Sequence, residues 1–425
     1  MLGVGLGGMT RARSWWSAAA AVGAVAGPAL GGVLTQLFAW RAIFLVQAPV
    51  AAIAILACLA PAARSVPAAG RTPGRRRTGV AAAIPANIGF ALVFAGLVGA
   101  LFLGVLLAIE VWRYPPITAA FLVSALPVGM FAARAVGPTP GPLAAVGGAL
   151  TLAGGLTGLA FLPGASPWAA ALAFALCGAG FGIVSAVLDP ATTPPGGELV
   201  RDSTVSIGAR HAGLVLGLVL IAPVLTSSLD RGIDRATLGA TRSLLEAEVP
   251  LSDKVSVTWD LRDAIESAPK GQVPNLAQVF DEHGADDNEQ LAAARDGLMD
   301  TITDAVTRSF RPAFAVSAVL AALAAVPALV VVSQLRRRRS EVGAPARHRV
   351  AGMVGVAMLA TVGLLVAEQA AGASNVGTYA TLDPCTAGPD PYPGSGLDAI
   401  AQRIALSALN GAACDLGTSR ERLVL

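Results

Sequence analysis

The stretch "GAVAGPALGG", Gly23 to Gly32, sets four glycines and a proline inside an apolar run long enough to cross a membrane. In water both residue types weaken a helix. Here Gly23, Gly27, Pro28, Gly31 and Gly32 fall at helical spacing, as GxxxGPxxGG. Glycines four apart form a smooth strip along which a second helix backbone can approach closely. Pro28 removes one helical hydrogen bond and bends the chain, which neighbouring elements accommodate in a membrane. The pattern therefore belongs in a lipid-embedded helix bundle, either as a plain tight helix contact or as a hinge. Composition agrees: of 425 residues, 54% are hydrophobic and 13% charged, against about 25% charged in a soluble domain. Mean hydropathy is +0.65.

A hydrocarbon core of about 30 Å takes roughly 20 apolar residues per helix. On that rule nine spans are expected, over 14–37, 41–60, 84–111, 117–133, 143–162, 168–188, 204–226, 312–332 and 350–370. Nine consecutive buried helices of a soluble protein would leave no polar face. No secretory signal peptide is read at the start of the chain, because the first apolar run follows Arg11 and Arg13 with no cleavage site behind it. Arginine sets the orientation, since basic residues prefer cytoplasmic loops. Arg11 and Arg13, then Arg64, Arg71 and Arg75–Arg77, then Arg134, then Arg201, then Arg336–Arg339 all precede the first span or lie in even-numbered connections. The expected protein is multi-pass in the cell membrane, with the N-terminus cytoplasmic and the C-terminus extracytoplasmic.

The expected domains are 1–61, the first two spans with the motif; 62–83, a basic cytoplasmic linker; and 84–226, a five-helix bundle. After these come an acidic extracytoplasmic insert, 227–311, a span in 312–335, a basic loop, 336–349, an extra span, 350–370, and an extracytoplasmic tail, 371–425. From Asp230 to Arg308 the insert carries sixteen acidic and eight basic residues. Leu291, Leu298, Ile302 and Val306 recur at near-heptad steps, which predicts a small helical domain; a solvated linker is the alternative. Cys385 and Cys414 are the cysteines outside the spans, on the oxidising side, and are expected to form a disulfide. Cys58 and Cys177 lie in spans and read as small packing residues.

The motif is followed by "LTQLFAWRAIFLVQAPV". Together these resemble the fifth and sixth helices of the major facilitator superfamily, in its drug–proton antiporter branch of fourteen-helix type, where Trp40 and Arg41 match the pair that opens the sixth helix. "GALFLGVLLAIEVWRYPPITAAFLVSALPVGM", "ALAFALCGAGFGIVSAVL" and "SIGARHAGLVLGLVLIAPVL" resemble the seventh and eighth, the tenth and the eleventh helices. The resemblance spans roughly 11–335. It implies an all-α partial bundle that begins at the fifth helix and lacks the first four. It also implies export of a small amphiphilic compound or drug against entry of protons, with GxxxGPxxGG as the antiport motif and a hinge for alternating access. The loop "FAARAVGPTPGP" keeps Arg134 but not the acidic partner that the family pattern leads one to look for.

Ionisable residues within spans are functional candidates. Arg210 and His211 lie inside the seventh span, because Ala212–Thr226 alone is too short to cross. Arg210 then faces the bundle interior, or snorkels to inner headgroups; His211 titrates near neutrality and suits a proton relay. Asp189 closes the sixth span and Glu110 the third. Both are candidates for proton coupling, or interfacial groups, with Glu110 and Arg113 as a local i,i+3 pair. Asn87 is a substrate contact or helix glue. There is no GxxxxGK[ST] loop and no His/Cys metal spacing, so no cofactor, metal, enzyme activity or nucleic-acid partner is expected. The expected partners are the substrate, protons and membrane lipids, with a separate chain supplying the missing helices as a further possibility. A membrane scaffold presenting its extracytoplasmic segments to cell-envelope partners is the alternative function.

Overall fold

The computed structural model describes residues 27–39, 41–59, 77–137, 141–162, 164–192, 199–267, 276–286, 288–338, 347–376, 383–386, 392 and 396–424. Every regular element among them is helical. The chain divides into two compact units, one of residues 1–225 and 310–373, the other of 226–309 and 374–425.

In the first unit, α1 covers 27–37 and α2 Ala42–Leu59. α3 begins at Arg77 as an α-helix to Val98 and runs on through two π-helical stretches, Gly99–Leu103 and Leu107–Val111. α4 is Pro116–Ala135, α5 Pro142–Ala160 and α6 Pro167–Thr192. All three open on proline, whose missing N–H costs nothing in the first turn. α7, Leu199–Glu246, gives its residues up to Leu225 to this unit. α11 (Arg311–Leu323), α12 (Ala325–Arg338) and α13 (Arg347–Ala370) complete it. Six helical stretches among the described residues are long and apolar enough to cross a membrane, and Ala42–Ile53 and Val354–Ala370 are shorter apolar helices. Of the first expected span, residues 14–26 lie outside the described part.

The expected span 312–332 is broken at Ala324, which caps α11 through N–H donation to Ala321. Pro327 explains the break: its ring lacks an N–H and meets the carbonyl four residues back, at Leu323.

Glycine sets how closely these helices pack. α5 carries two doublets, Gly147–Gly148 and Gly154–Gly155. A Cβ on Gly148 or Gly155 would stand 2.7 Å from the backbone nitrogen of Val184 or Cys177 on α6. A Cβ on Gly147 or Gly154 would run into the side chains of Val354 or Thr361 on α13. One helix is thus smooth on two faces and seats a neighbour on each. Cys177 is fully buried in the α5–α6 contact as a free thiol. Hydroxyls in these seams bond back to their own helices, Thr151 to Gly147 O at 2.7 Å and Thr361 to Ala357 O at 2.9 Å, so these hydroxyls are satisfied without a partner across the contact.

The second unit joins the insert to the tail, which the sequence reading treats as separate segments. It holds α7 from Thr226 onward, α8 (Leu251–Ser267), α9 (Leu276–Glu282), α10 (Glu289–Ser309), α14 (Leu397–Asp415) and α15 (Arg420–Val424). Leu244, Val249, Val257, Phe280, Leu291 and Leu298 form its core. Lys254 is buried and donates to Leu245 O at 2.8 Å and to Gln402 Oε1 at 2.6 Å. Gln402 in turn donates to Val249 O at 2.9 Å. The nearly buried Arg420 donates to Glu246 and Glu421. Buried charges persist only when paired in this way.

A disulfide joins Cys385 to Cys414, 29 residues apart. A loop of that size removes about 3.6 kcal/mol of chain entropy from the unfolded tail. Under mild reductant, or with Cys385→Ser, limited proteolysis is expected to cut the tail faster while leaving the membrane helices intact. An unchanged cleavage rate would show that the cross-link contributes no stability there.

Candidate functional site

At one end of the first unit, three helices bring charge together. Asp189 lies in the last turn of α6, where Thr192 Oγ1 donates to its backbone carbonyl at 2.9 Å. Its carboxylate receives Arg134 Nη2 from the last turn of α4 on Oδ2, and Arg210 Nη2 from α7 on Oδ1 at 3.2 Å. Arg134 also donates to Ser185 Oγ, one turn before Asp189, at 2.8 Å. The acidic partner absent from the loop after α4 is therefore supplied by another helix. Asp189 retains 36% side-chain exposure, so each ion pair of this cluster is only partly buried.

Arg210 is fixed from its other face by aromatic rings. Its guanidinium carbon lies 4.2 Å from the centroid of the Phe90 ring and 5.8 Å from that of Phe94, both on α3. Phe94 meets Phe181 of α6 edge-on at 5.7 Å. A planar guanidinium stacks on such rings while keeping its in-plane donors free for a carboxylate. The register comes from glycine: Cβ atoms on Gly213 and Gly217 would collide with the carbonyl oxygens of Ala91 and Ala95. These positions let α7 lie directly on α3, with Arg210 one turn before the contact. Arg210 thus touches Asp189, Phe90 and Phe94 of neighbouring helices, with 34% of its side chain exposed.

The remaining candidates scatter. His211 follows Arg210 yet is exposed, with Nδ1 2.9 Å from Ile207 O of its own helix; the structure does not bring it to Asp189. Glu110 is exposed in the second π stretch, about 34 Å along α3 from Asn87 at 1.5 Å per residue. Its expected helical pairing with Arg113 does not form, because the helix stops at Val111 and Arg113 takes a left-handed φ of 54°. Asn87 lies one turn before Phe90; its amide donates to Ala83 O at 2.9 Å, and its buried carbonyl oxygen has no partner among the described residues.

In the motif, Gly23 lies outside the described residues, as does Trp40. Gly27, Pro28, Gly31 and Gly32 lie on α1. Gly32 is the close-contact position: a Cβ there would be 2.5 Å from Ala120 Cβ and 2.8 Å from Pro116 O, at the start of α4. Gln36 Oε1, one turn on, accepts the Ile117 N–H at 3.2 Å. Gly27 and Gly31 face open space.

Ser185, Phe90 and Phe94 did not stand out in the sequence. The signal for Ser185 was its position one turn before Asp189. The phenylalanines were indistinguishable from other apolar residues of the span until α7 was placed.

A transmembrane bundle with glycine-smoothed contacts and a charge cluster where three helices meet at one end defines a multi-pass membrane protein of the transporter class. The profile of the Major Facilitator Superfamily matches residues 9–229, just over half of the 425 residues. The chain belongs to that superfamily. No curated protein matches the chain.

Proposed function

We propose that the protein exports a small amphiphilic compound across the cytoplasmic membrane in exchange for protons, with the Arg134–Asp189–Arg210 cluster as the latch of its cytoplasmic end. The observation that carries this reading is the bridging carboxylate. Asp189 receives a cation from each of two other helices, so parting α4 or α7 from α6 must break an ion pair. Two arrangements, latched and parted, are what alternating access requires at one side of the membrane. The Arg210–Phe90 stacking gives the latch an apolar side suited to an amphiphilic cargo.

The GxxxGPxxGG motif supports the antiport assignment through its resemblance, and the tight seat of Gly32 on α4 supports a hinge there. Orientation draws support from the second unit. Residues 226–309 and 374–425 fold together, so the chain between them crosses the membrane an even number of times. α11–α12 and α13 are the two crossings. The arginine rule supports a cytoplasmic position for the cluster.

A second reading is favoured by that unit: a compact, disulfide-closed body of this size suits a scaffold for cell-envelope partners, or a transporter completed by a separate chain. Efflux separates the readings. In cells loaded with ethidium, a planar amphiphilic cation, Arg210→Ala is expected to cut energised efflux by about tenfold, the equivalent of roughly 1.4 kcal/mol. Arg210→Lys, which keeps charge but loses stacking and fork geometry, is expected to fall between. Equal efflux from all three would count against the transporter.

A further inference from the structure

α13 carries apolar side chains on two sides, one packed and one exposed. Val354, Ala357, Thr361, Leu364 and Glu368 are buried, at steps of three and four residues, while Val356, Leu359, Val362 and Val366 are exposed large apolar side chains on the opposite side. The first series is the seam that packs on α5: Val354 against Gly147, Thr361 against Gly154 and Leu364 against Gly158. Glu368 continues the seam at its next position. It is therefore neither on the lipid face nor free in water: it is 2% exposed. A Cβ on Gly158 would lie 3.6 Å from its Oε1. Neither carboxylate oxygen has a hydrogen-bond partner among the described residues.

An ionised carboxylate left in such a place costs several kcal/mol, and the group takes up a proton instead. The charges that face it are few. α5 has no titratable side chain. α6, which also borders α13, carries Cys177, placed against Gly155, and Asp189, about 24 Å along the helix from Ala173 at 1.5 Å per residue. On α11, Arg311 donates to Ala373 O beyond the end of α13 and stacks over Phe161 at 5.0 Å. On α13 itself, Arg347, His348 and Arg349 stand at the opposite end. No described cation pairs with Glu368. Two residues after it the helix ends and a turn begins, so the site lies about one helical turn from the end of the element and has a short route for proton exchange.

We propose that Glu368 is a proton-binding site of the bundle, carried on α13 and loaded from the side of the membrane where that helix ends. The site stands apart from the Asp189 cluster and does not depend on the transport reading. Binding of the proton seals α13 against α5, and its release places a charge in the seam that loosens the contact.

The test is infrared spectroscopy of the full chain in lipid, titrated between acid and alkaline pH, for the wild type and Glu368→Gln. The expected result is a carboxylic-acid C=O band in the wild type at neutral pH, lost in Glu368→Gln and lost in the wild type as pH rises. Dicyclohexylcarbodiimide, which reacts with protonated carboxyl groups in apolar surroundings, should label Glu368 at neutral pH and at least tenfold less once the band has gone. A wild-type spectrum without a band removed by the Gln variant would overturn the proposal. So would a band that sodium ions abolish at constant pH, which would assign the site to a metal cation. Neither readout involves transport, so loss of ethidium efflux and loss of the band are read independently.

Discussion

Gly178→Val is expected to abolish the folded protein. A Cβ at this position would be driven into the carbonyl oxygen of Leu126, with the Leu126 Cα at 3.0 Å. The obstacle is the backbone of α4, which cannot rotate aside as a side chain would. A Cβ on Gly129, on α4, would run into the backbone of Ala175 in the same contact, and one on Gly182 would lie 2.7 Å from Met130 O. Relief requires α4 and α6 to separate along their length. Overpacking a fitted core costs about 1–3 kcal/mol where side chains can adjust; here the contact is backbone on backbone and the upper end is the starting point. The helix-propensity gain on replacing glycine, at most about 1 kcal/mol, does not offset it. The measurement is the yield of monodisperse protein in mild detergent and its thermal midpoint. Gly363→Ala is the control, because nothing lies within 4 Å of that Cβ; it should match or slightly exceed the wild type. A Gly178→Val protein with wild-type yield and midpoint would mean that α4 and α6 do not touch as described.

Asp189→Asn should leave the fold standing and disable the latch. Each charge-assisted bond to Asp189 would be worth about 1.5–3 kcal/mol if buried. Partial exposure of all three side chains reduces this to about 1 kcal/mol apiece. Losing both shifts the balance between latched and parted states by about 2 kcal/mol, roughly thirtyfold at 1.4 kcal/mol per tenfold. The two guanidinium groups then face one another with no anion between them, which adds repulsion. The expected phenotype is a normal thermal midpoint within a few degrees and loss of energised ethidium efflux. Double-mutant cycles with Arg134→Ala and Arg210→Ala should show coupling to Asp189 in both cases. Strict additivity would dissolve the cluster into three independent surface charges.

What the sequence made legible follows from the range of the physics involved. Hydropathy and proline positions are local, so the apolar helices over 84–111, 117–133, 143–162 and 168–188 could be read directly. The membrane class followed from them, and the superfamily resemblance from the GxxxGPxxGG motif and the Trp40–Arg41 pair beside them. Contacts between helices are not local. Arg134 and Asp189 meet across 55 residues, and Lys254 meets Gln402 across 148. Nothing near either residue announces its partner, which is why Arg134 looked unpaired and the insert and tail looked separate. Two signals were present but weak. The α5 doublets, seven residues apart, mark a helix smooth on two faces. The three-four spacing from Val354 to Glu368 places a carboxylate on a buried seam, and it was not singled out in the sequence. The break at Pro327 was also readable, and the hydropathy of the surrounding run concealed it.

The most direct test of the account is proton-driven flux by the purified chain. Reconstituted into liposomes with a pH-sensitive dye inside, the protein should move protons when an ethidium gradient is imposed, and should move ethidium when a pH gradient is imposed. Both fluxes should be absent from empty liposomes and absent with Asp189→Asn. A protonophore should abolish the pH-driven ethidium movement. Ethidium movement that is indifferent to the pH gradient, or no flux from a protein of wild-type stability, would contradict the claim that this chain by itself is a proton-coupled exporter.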